Sequence, residues 1–446
     1  MSGNRCFATI VSGIVTAGLT VAILTSNAQA ASTDLNKAPR ANWKFDFGPG
    51  RVEPGYVQVL PTTVYTEEIG YGFETGATVW GVDRSSDNLL RGDFCTSDKP
   101  LLFSVKLPEG NYSVTVTLGD LTGESNTTIK AELRRLMVEK VQTLPGRFET
   151  RTFTVNIRTP KIAAGGRVRL KDREKTTESA AWDDKLTIEF NPAPIEPAAA
   201  PGKSVSSAGG QSVSGRTCIC ALEIARADDV PTVYLLGDST VCDQPLEPWN
   251  SWGQMLTRFF KPGVAVANHA ESGESIRSSL GAGRVDKVLS IIKPGDYLFI
   301  QYGHNDMKDR APNALATYKS DLKKLVAVVR AKGATPVLVT SMERKNGVTS
   351  NTLGEYPETV REVAKEDSVA IIDLHAMSKV FYTALGPENI DKAFQDGTHH
   401  NNYGSYELAK CIVEGIRKNG LDLAKYVVGD FQGFDPSRPD PVNGII

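Results

Sequence analysis

At 446 residues the chain exceeds the roughly 250–300 at which a single hydrophobic core stops growing, so two domains are expected. Hydrophobic residues make up 40% and charged residues 23%, a balance ordinary for soluble globular protein. The formal net charge of −2, with no long block of one sign, excludes a global field that would gather nucleic acid or an anionic membrane surface.

Residues 1–30 read as a signal peptide. Arg5 supplies the positive start, an apolar run with small residues spans about Phe7 to Leu24, and Ala28-Gln29-Ala30 gives a small-residue cleavage site. The competing reading is a transmembrane anchor, against which stand Ser12, Gly13, Thr16, Gly18 and Thr20 within the run. The expected protein is exported, periplasmic or extracellular, and free of the membrane once the signal is removed. Of six cysteines, Cys6 leaves with the signal, and the odd five that remain leave at least one unpaired. An oxidising compartment predicts one or two disulfides among Cys95, Cys218, Cys220, Cys242 and Cys411. Cys218-x-Cys220 has no companion pair at zinc spacing, so no metal is expected there.

Residues 42–192 carry short alternating and β-branched stretches such as Leu101–Val105, Tyr112–Thr117, Phe153–Ile157 and Leu186–Phe190, separated by turn signals such as Pro108-Glu109-Gly110-Asn111. This pattern predicts an antiparallel β-sandwich. Residues 193–228 read as a linker, opening with Pro194, Pro197 and Pro201 around an alanine run and continuing into serines and glycines. In residues 229–440 apolar runs alternate with amphipathic helical patterns. Strands are predicted at Thr232–Leu236, Val264–Ala267, Tyr297–Gln301, Pro336–Thr340 and Val369–Leu374, with helices near Ser251–Phe260, Arg284–Ile292, Tyr318–Lys332, Tyr356–Lys365, Met377–Ala384 and Tyr403–Lys418. That rhythm implies an α/β domain with a parallel sheet and helices on both faces, and its right-handed crossovers put the loops after the strands on one edge.

Chemistry-bearing residues collect in those loops. The first strand ends in Gly237-Asp238-Ser239-Thr240, which puts a hydroxyl at the sheet edge; a turn motif is the plainer reading. After the second strand, Gly273 can offer a backbone N–H at close range. After the third, Gly303-His304-Asn305-Asp306 puts an amide donor where an oxyanion could develop. Near the end, Asp396-Gly397-Thr398-His399 spaces a carboxylate and an imidazole so that one can orient the other. His400 competes with His399 as the base, and a metal site of Asp396, His399 and His400 is the remaining alternative.

Gly237-Asp238-Ser239, Gly273, Gly303-x-Asn305-Asp306 and Asp396-x-x-His399 resemble, in order, the four blocks of the SGNH hydrolases. Trp252-Gly253-Gln254 and Ile372-Asp373-Leu374 add a likeness to the rhamnogalacturonan acetylesterases of that superfamily. The resemblance covers roughly residues 231–440. It implies a three-layer flavodoxin-like fold and a serine esterase needing no cofactor, with Ser239 as nucleophile, His399 as base and Asp396 as its partner. Ser239 N–H, Gly273 N–H and the Asn305 side chain would be the oxyanion donors. The implied substrate is an acetylated polysaccharide or oligosaccharide, first of all rhamnogalacturonan. Acetylxylan or another acetylated carbohydrate is the alternative, and a non-catalytic carbohydrate-binding protein the reading from another class.

An acidic polysaccharide calls for cations near the cleft. Arg277, Lys308 and Arg344 follow strands two, three and four on the correct edge, and Trp249 could stack on a sugar ring; Trp252, on a helical face, reads as core. The N-terminal stretch Trp43-Lys44-Phe45-Asp46-Phe47-Gly48-Pro49-Gly50 looks like the galactose-binding-like sandwich fused to such esterases, and Tyr56, Tyr65, Tyr71 and Trp80 are its candidate sugar contacts. Asn111-Tyr-Ser113 and Asn126-Thr-Thr128 match glycosylation acceptors.

Overall fold

Alternation from Tyr112 to Leu118, within the strand Gly110–Asp120, sets the pattern of the first half of the molecule: Tyr112, Val114, Val116 and Leu118 are fully buried, while Ser113, Thr115 and Thr117 stand on the other face. The computed structural model describes residues 41–195 and 215–442. The expected signal peptide, Cys6 and residues 196–214 of the expected linker lie outside the described residues.

The alternating strands form two packed sheets. One has seven strands, with the path Arg147–Ile157, Gly110–Asp120, Thr217–Arg226, Trp43–Phe47, Val57–Val59 and with Asp93–Ser97 and Trp80–Asp83 branching from it. The other has five, in the order Tyr71–Phe73, Leu101–Lys106, Lys185–Pro192, Ser125–Ala131, Arg135–Thr143. Between them Phe45, Phe47 and Phe103 interlock edge to face, Phe45 and Phe103 with ring centres 5.3 Å apart.

One strand corrects the expected domain plan. Thr217–Arg226 falls inside the segment read as a linker, 193–228, yet it is an interior strand of the sandwich. It pairs with Gly110–Asp120 on one side and with Trp43–Phe47 and Asp93–Ser97 on the other. Its first six residues are all buried, so it shows a continuous apolar run in place of alternation. The disulfide expectation is also corrected: the five described cysteines are free and buried. Cys95 lies opposite Ile219 in the ladder, so it faces away from Cys218 and Cys220, which flank that residue. The two glycosylation matches are buried, with Asn111 Nδ2 donating to Thr232 Oγ1 at 2.8 Å and Asn126 Nδ2 to the Pro194 carbonyl at 2.6 Å.

The second half is an α/β domain. Its five parallel strands run in the order Ala265–Asn268, Thr232–Gly237, Tyr297–Gln301, Thr335–Val339, Ala370–Ile372. Both faces are apolar, as helices on both sides require. Val233, Leu235 and Phe299 join one core with helix Asn402–Lys418, whereas Tyr234, Leu236, Leu298 and Ile300 join another with helix Ala314–Ala331. The chain reverses its direction of travel across the sheet at Thr232–Gly237, which opens a crevice beyond the carboxyl end of that strand.

The two halves share a polar seam. Arg135 from the sandwich meets Asp243 of the loop after Thr232–Gly237 at 2.9 Å, with both side chains buried. Arg134 Nη1 donates to the carbonyls of Gln244 and Trp249 in the same loop, at 2.9 and 3.2 Å. Glu174 and Arg284, fully buried, form a bidentate pair at 2.9 and 2.6 Å. Removing one partner of such a pair leaves an uncompensated buried charge and costs about 3–5 kcal/mol. The connection 158–184 between two sandwich strands is pinned to the α/β domain by that pair.

Candidate active site

The strand Thr232–Gly237 ends where Gly237 passes so close to its neighbours that a Cβ there would lie 2.7 Å from the Gln301 carbonyl oxygen. A tight turn follows. Asp238 Oδ1 accepts the Thr240 N–H at 3.0 Å and its hydroxyl at 2.8 Å, and the Asp238 carbonyl accepts the N–H groups of Val241 and Cys242. This turn lifts Ser239 to the rim, and Gln244 Nε2 holds the Ser239 carbonyl at 2.7 Å.

Across the rim stands the loop Asp396–His399. Asp396 Oδ1 accepts the N–H groups of Thr398 and His399, each at 2.7 Å, and Oδ2 meets His399 Nδ1 at 2.8 Å. Burial works to raise the Asp396 carboxyl, and the hydrogen bonds from the His399 N–H, the imidazole and the Thr398 N–H outweigh it and hold it below its ordinary value. His399 Nε2 reaches Ser239 Oγ at 2.8 Å. Trp249 packs its edge against the His399 ring, with centres 5.5 Å apart. His400 is turned inward: its Nε2 meets the Tyr382 hydroxyl at 2.8 Å, and burial, then the neighbouring His399, push its pKa to about 3. His400 therefore stands apart from Ser239 and from the other two residues of the alternative metal set.

The loop after Ala265–Asn268 brings Gly273 alongside, at φ +80°, a left-handed conformation that suits glycine. The loop after Tyr297–Gln301 brings Asn305, whose amide is oriented at both ends. Its Nδ2 donates to the Glu274 carbonyl at 3.0 Å, and its Oδ1 accepts from Lys308 Nζ at 2.6 Å. Among the described residues, no acceptor is bonded to the backbone N–H of Ser239 or of Gly273.

Ser239, Gly273, Asn305 and His399 line one cleft of about 570 Å³, together with Trp249, Lys308, Arg344 and His304. Of the residues picked out for substrate contact, Arg277 is the one outside it; its side chain is 66% exposed and pairs with Asp309 at 3.6 Å. Trp252 is fully buried and donates to Gln301 Oε1 at 2.8 Å. The sequence reading missed Arg173, Gln244 and His304. Arg173 comes from the sandwich connection and reads in the sequence as one more surface cation. His304 lies inside the Gly303-x-Asn305 block; burial, first of all, pulls its pKa down, so its ring is neutral against the cleft.

A hydroxyl, an imidazole and a carboxylate in series, with free N–H donors beside them, can carry out acyl transfer. Comparison with known proteins points the same way. Residues 235–405 match the GDSL-like lipase/acylhydrolase family, and residues 43–162 match the β-agarase/YXIM esterase-like, galactose-binding domain-like family. The chain is 41% identical over 217 residues to rhamnogalacturonan acetylesterase RhgT of Bacillus subtilis (strain 168), covering 44% of this chain and 94% of that protein. It is 35% identical to the probable rhamnogalacturonan acetylesterase YesY of the same organism, over 44% of this chain and 97% of that one. The uncharacterized esterase YxiM, also from that organism, is 29% identical over 401 residues, which spans 85% of this chain and 91% of YxiM.

Proposed function

Because the chain belongs to the GDSL-like lipase/acylhydrolase family and is thereby a serine esterase, we propose that it removes acetyl groups from an acidic plant polysaccharide of the rhamnogalacturonan type. The observation that carries the reading is the unbroken series Ser239 Oγ, His399, Asp396, with 2.8 Å at each step, beside the unengaged N–H groups of Ser239 and Gly273.

In this mechanism His399 Nε2 takes the Ser239 proton as Oγ attacks the acetyl carbonyl. The carbonyl oxygen becomes an oxyanion and meets the Ser239 N–H, the Gly273 N–H and the Asn305 amide. Collapse of the tetrahedral intermediate breaks the bond to the sugar oxygen, which leaves with the proton from His399. Water, deprotonated by the same imidazole, then attacks the acetyl-enzyme and releases acetate. Asp396, already ionised, holds the ring in the tautomer that faces Ser239 and stabilises its protonated form.

The substrate class rests on charge and on the relatives. Arg173, Lys308 and Arg344 line the cleft, and among the described residues no carboxylate does. That balance favours a chain of uronates over neutral xylan or mannan. Export, read from Arg5 and Ala28-Gln29-Ala30, suits an enzyme whose substrate is outside the cell.

The test is acetate release from acetylated rhamnogalacturonan, xylan and mannan by the parent protein and by Ser239→Ala. The expected result is fastest release from rhamnogalacturonan and, by the variant, release slower by roughly 10⁶. Equal release from all three polymers would defeat the substrate assignment. Turnover near the parent's by folded Ser239→Ala would defeat the mechanism.

A further inference from the structure

One peptide group joins Ser272 to Gly273. It is trans and planar, so the Ser272 carbonyl and the Gly273 N–H point in opposite directions and cannot turn independently. The carbonyl oxygen is gripped by two cations of the sandwich connection, Lys171 Nζ at 2.6 Å and Arg173 Nη2 at 2.6 Å. The same two side chains hold the flanking residues. Lys171 pairs with Glu274 at 2.7 Å, and Arg173 donates through Nε to Glu271 at 2.9 Å. The Glu271 N–H in turn bonds the Gly237 carbonyl at 3.1 Å, which ties this loop to the strand that carries Ser239.

The cations are themselves fixed. Lys171 N–H donates to Glu174 Oε2 at 2.8 Å, and Glu174 is locked to Arg284 by the buried bidentate pair. Hydrogen bonds from cations to a carbonyl are shorter and stronger than neutral ones, and they polarise the amide along its C=O to N–H axis.

We propose that Lys171 and Arg173 are positioning residues for the esterase: from the N-terminal sandwich they aim the Gly273 N–H into the cleft and strengthen it as an oxyanion donor. The proposal rests on the reading of Gly273 as such a donor. It makes the sandwich a working part of the active site. The grip acts through the peptide group and needs no contact between either cation and the substrate.

The test uses the full chain with Lys171→Met, Arg173→Met and the double variant, each of which keeps an unbranched stem and removes the charge. The substrate is p-nitrophenyl acetate, small and neutral, so that cleft charge has little to bind. The probe for the oxyanion site is methylboronic acid, whose adduct on a serine oxygen is a tetrahedral anion. Since a whole donor is worth roughly 10²–10³ in kcat, each single variant should lose about 10-fold and the double variant about 10². KM should stay within about threefold, because the donor acts chiefly in the transition state. Boronate affinity should fall in parallel with kcat, and Lys171→Arg, which restores a donor and a charge, should recover most of both.

The inference is overturned if the double variant keeps kcat within about twofold of the parent, or if kcat falls while boronate affinity holds. Should the double variant fail to fold, Lys171→Met decides alone, since that side chain is 34% exposed and leaves no core cavity. Ser239→Ala run alongside separates the two levels. Near-parent activity in that variant would remove the underlying reading, whereas a crippled Ser239→Ala beside a fully active double variant would remove only the role given to Lys171 and Arg173.

Discussion

The loop Asp396–His399 closes on itself within four residues, whereas the Ser272–Gly273 peptide is held by side chains 101 and 99 positions earlier in the chain. Both loops face Ser239. The first needs little from the rest of the fold beyond a place at the sheet edge, because its carboxylate is satisfied by its own neighbours. The second closes locally through one hydrogen bond, from the Glu274 N–H to the Glu271 carbonyl at 3.2 Å, and its central carbonyl is gripped from the sandwich. One half of the site is therefore a short-range motif, and the other is a tertiary construction that spans two modules.

The comparison can be broken from either side. The largest effect is expected at the self-contained loop. Asp396→Asn keeps its shape but loses the ionised acceptor for His399 Nδ1, so the ring no longer favours the tautomer that accepts the Ser239 proton. Turnover of p-nitrophenyl acetate should fall by roughly 10⁴, the order seen when a triad carboxylate is made an amide. A loss of less than about tenfold would mean that His399 is oriented by something other than this loop.

Next comes Asn305→Ala on the opposite side. It removes one donor and also the link from Lys308 to the Glu274 carbonyl, and should lower kcat by roughly 10²–10³ with little change in KM. If KM rises and kcat holds, Asn305 binds substrate and is no oxyanion donor. The smaller losses expected at Lys171 and Arg173 with a neutral substrate then sharpen the contrast, because with that substrate their effect runs through the peptide they hold.

What could be read from the sequence follows the same division. The strand Tyr297–Gln301 and the block Asp396-x-x-His399 were legible because their causes are local: an apolar run between turn residues in one case, and hydrogen bonds across three positions in the other. The strand Thr217–Arg226 was lost to the linker because an interior strand buried on both faces shows no alternation, and a Pro-, Ala- and Ser-rich stretch precedes it. Arg277 follows the correct strand, but a position on the right edge does not fix side-chain direction, and it turns out to Asp309. Arg173 carried no signal at all. Its role exists only once the connection 158–184 folds over the α/β domain, and Glu174 and Arg284, the buried pair that seats it, lie 110 positions apart.

The central claim is that Ser239 is the atom-bearing nucleophile, and its most direct test is stoichiometric labelling with diethyl p-nitrophenyl phosphate. Attack by a serine oxygen forms a stable phosphoryl ester and expels p-nitrophenolate. The account predicts that p-nitrophenolate release, loss of esterase activity and phosphorylation of the peptide bearing Ser239 advance together, one label per molecule. Complete inactivation with the label on any other residue, or full labelling of Ser239 with activity retained, would contradict it.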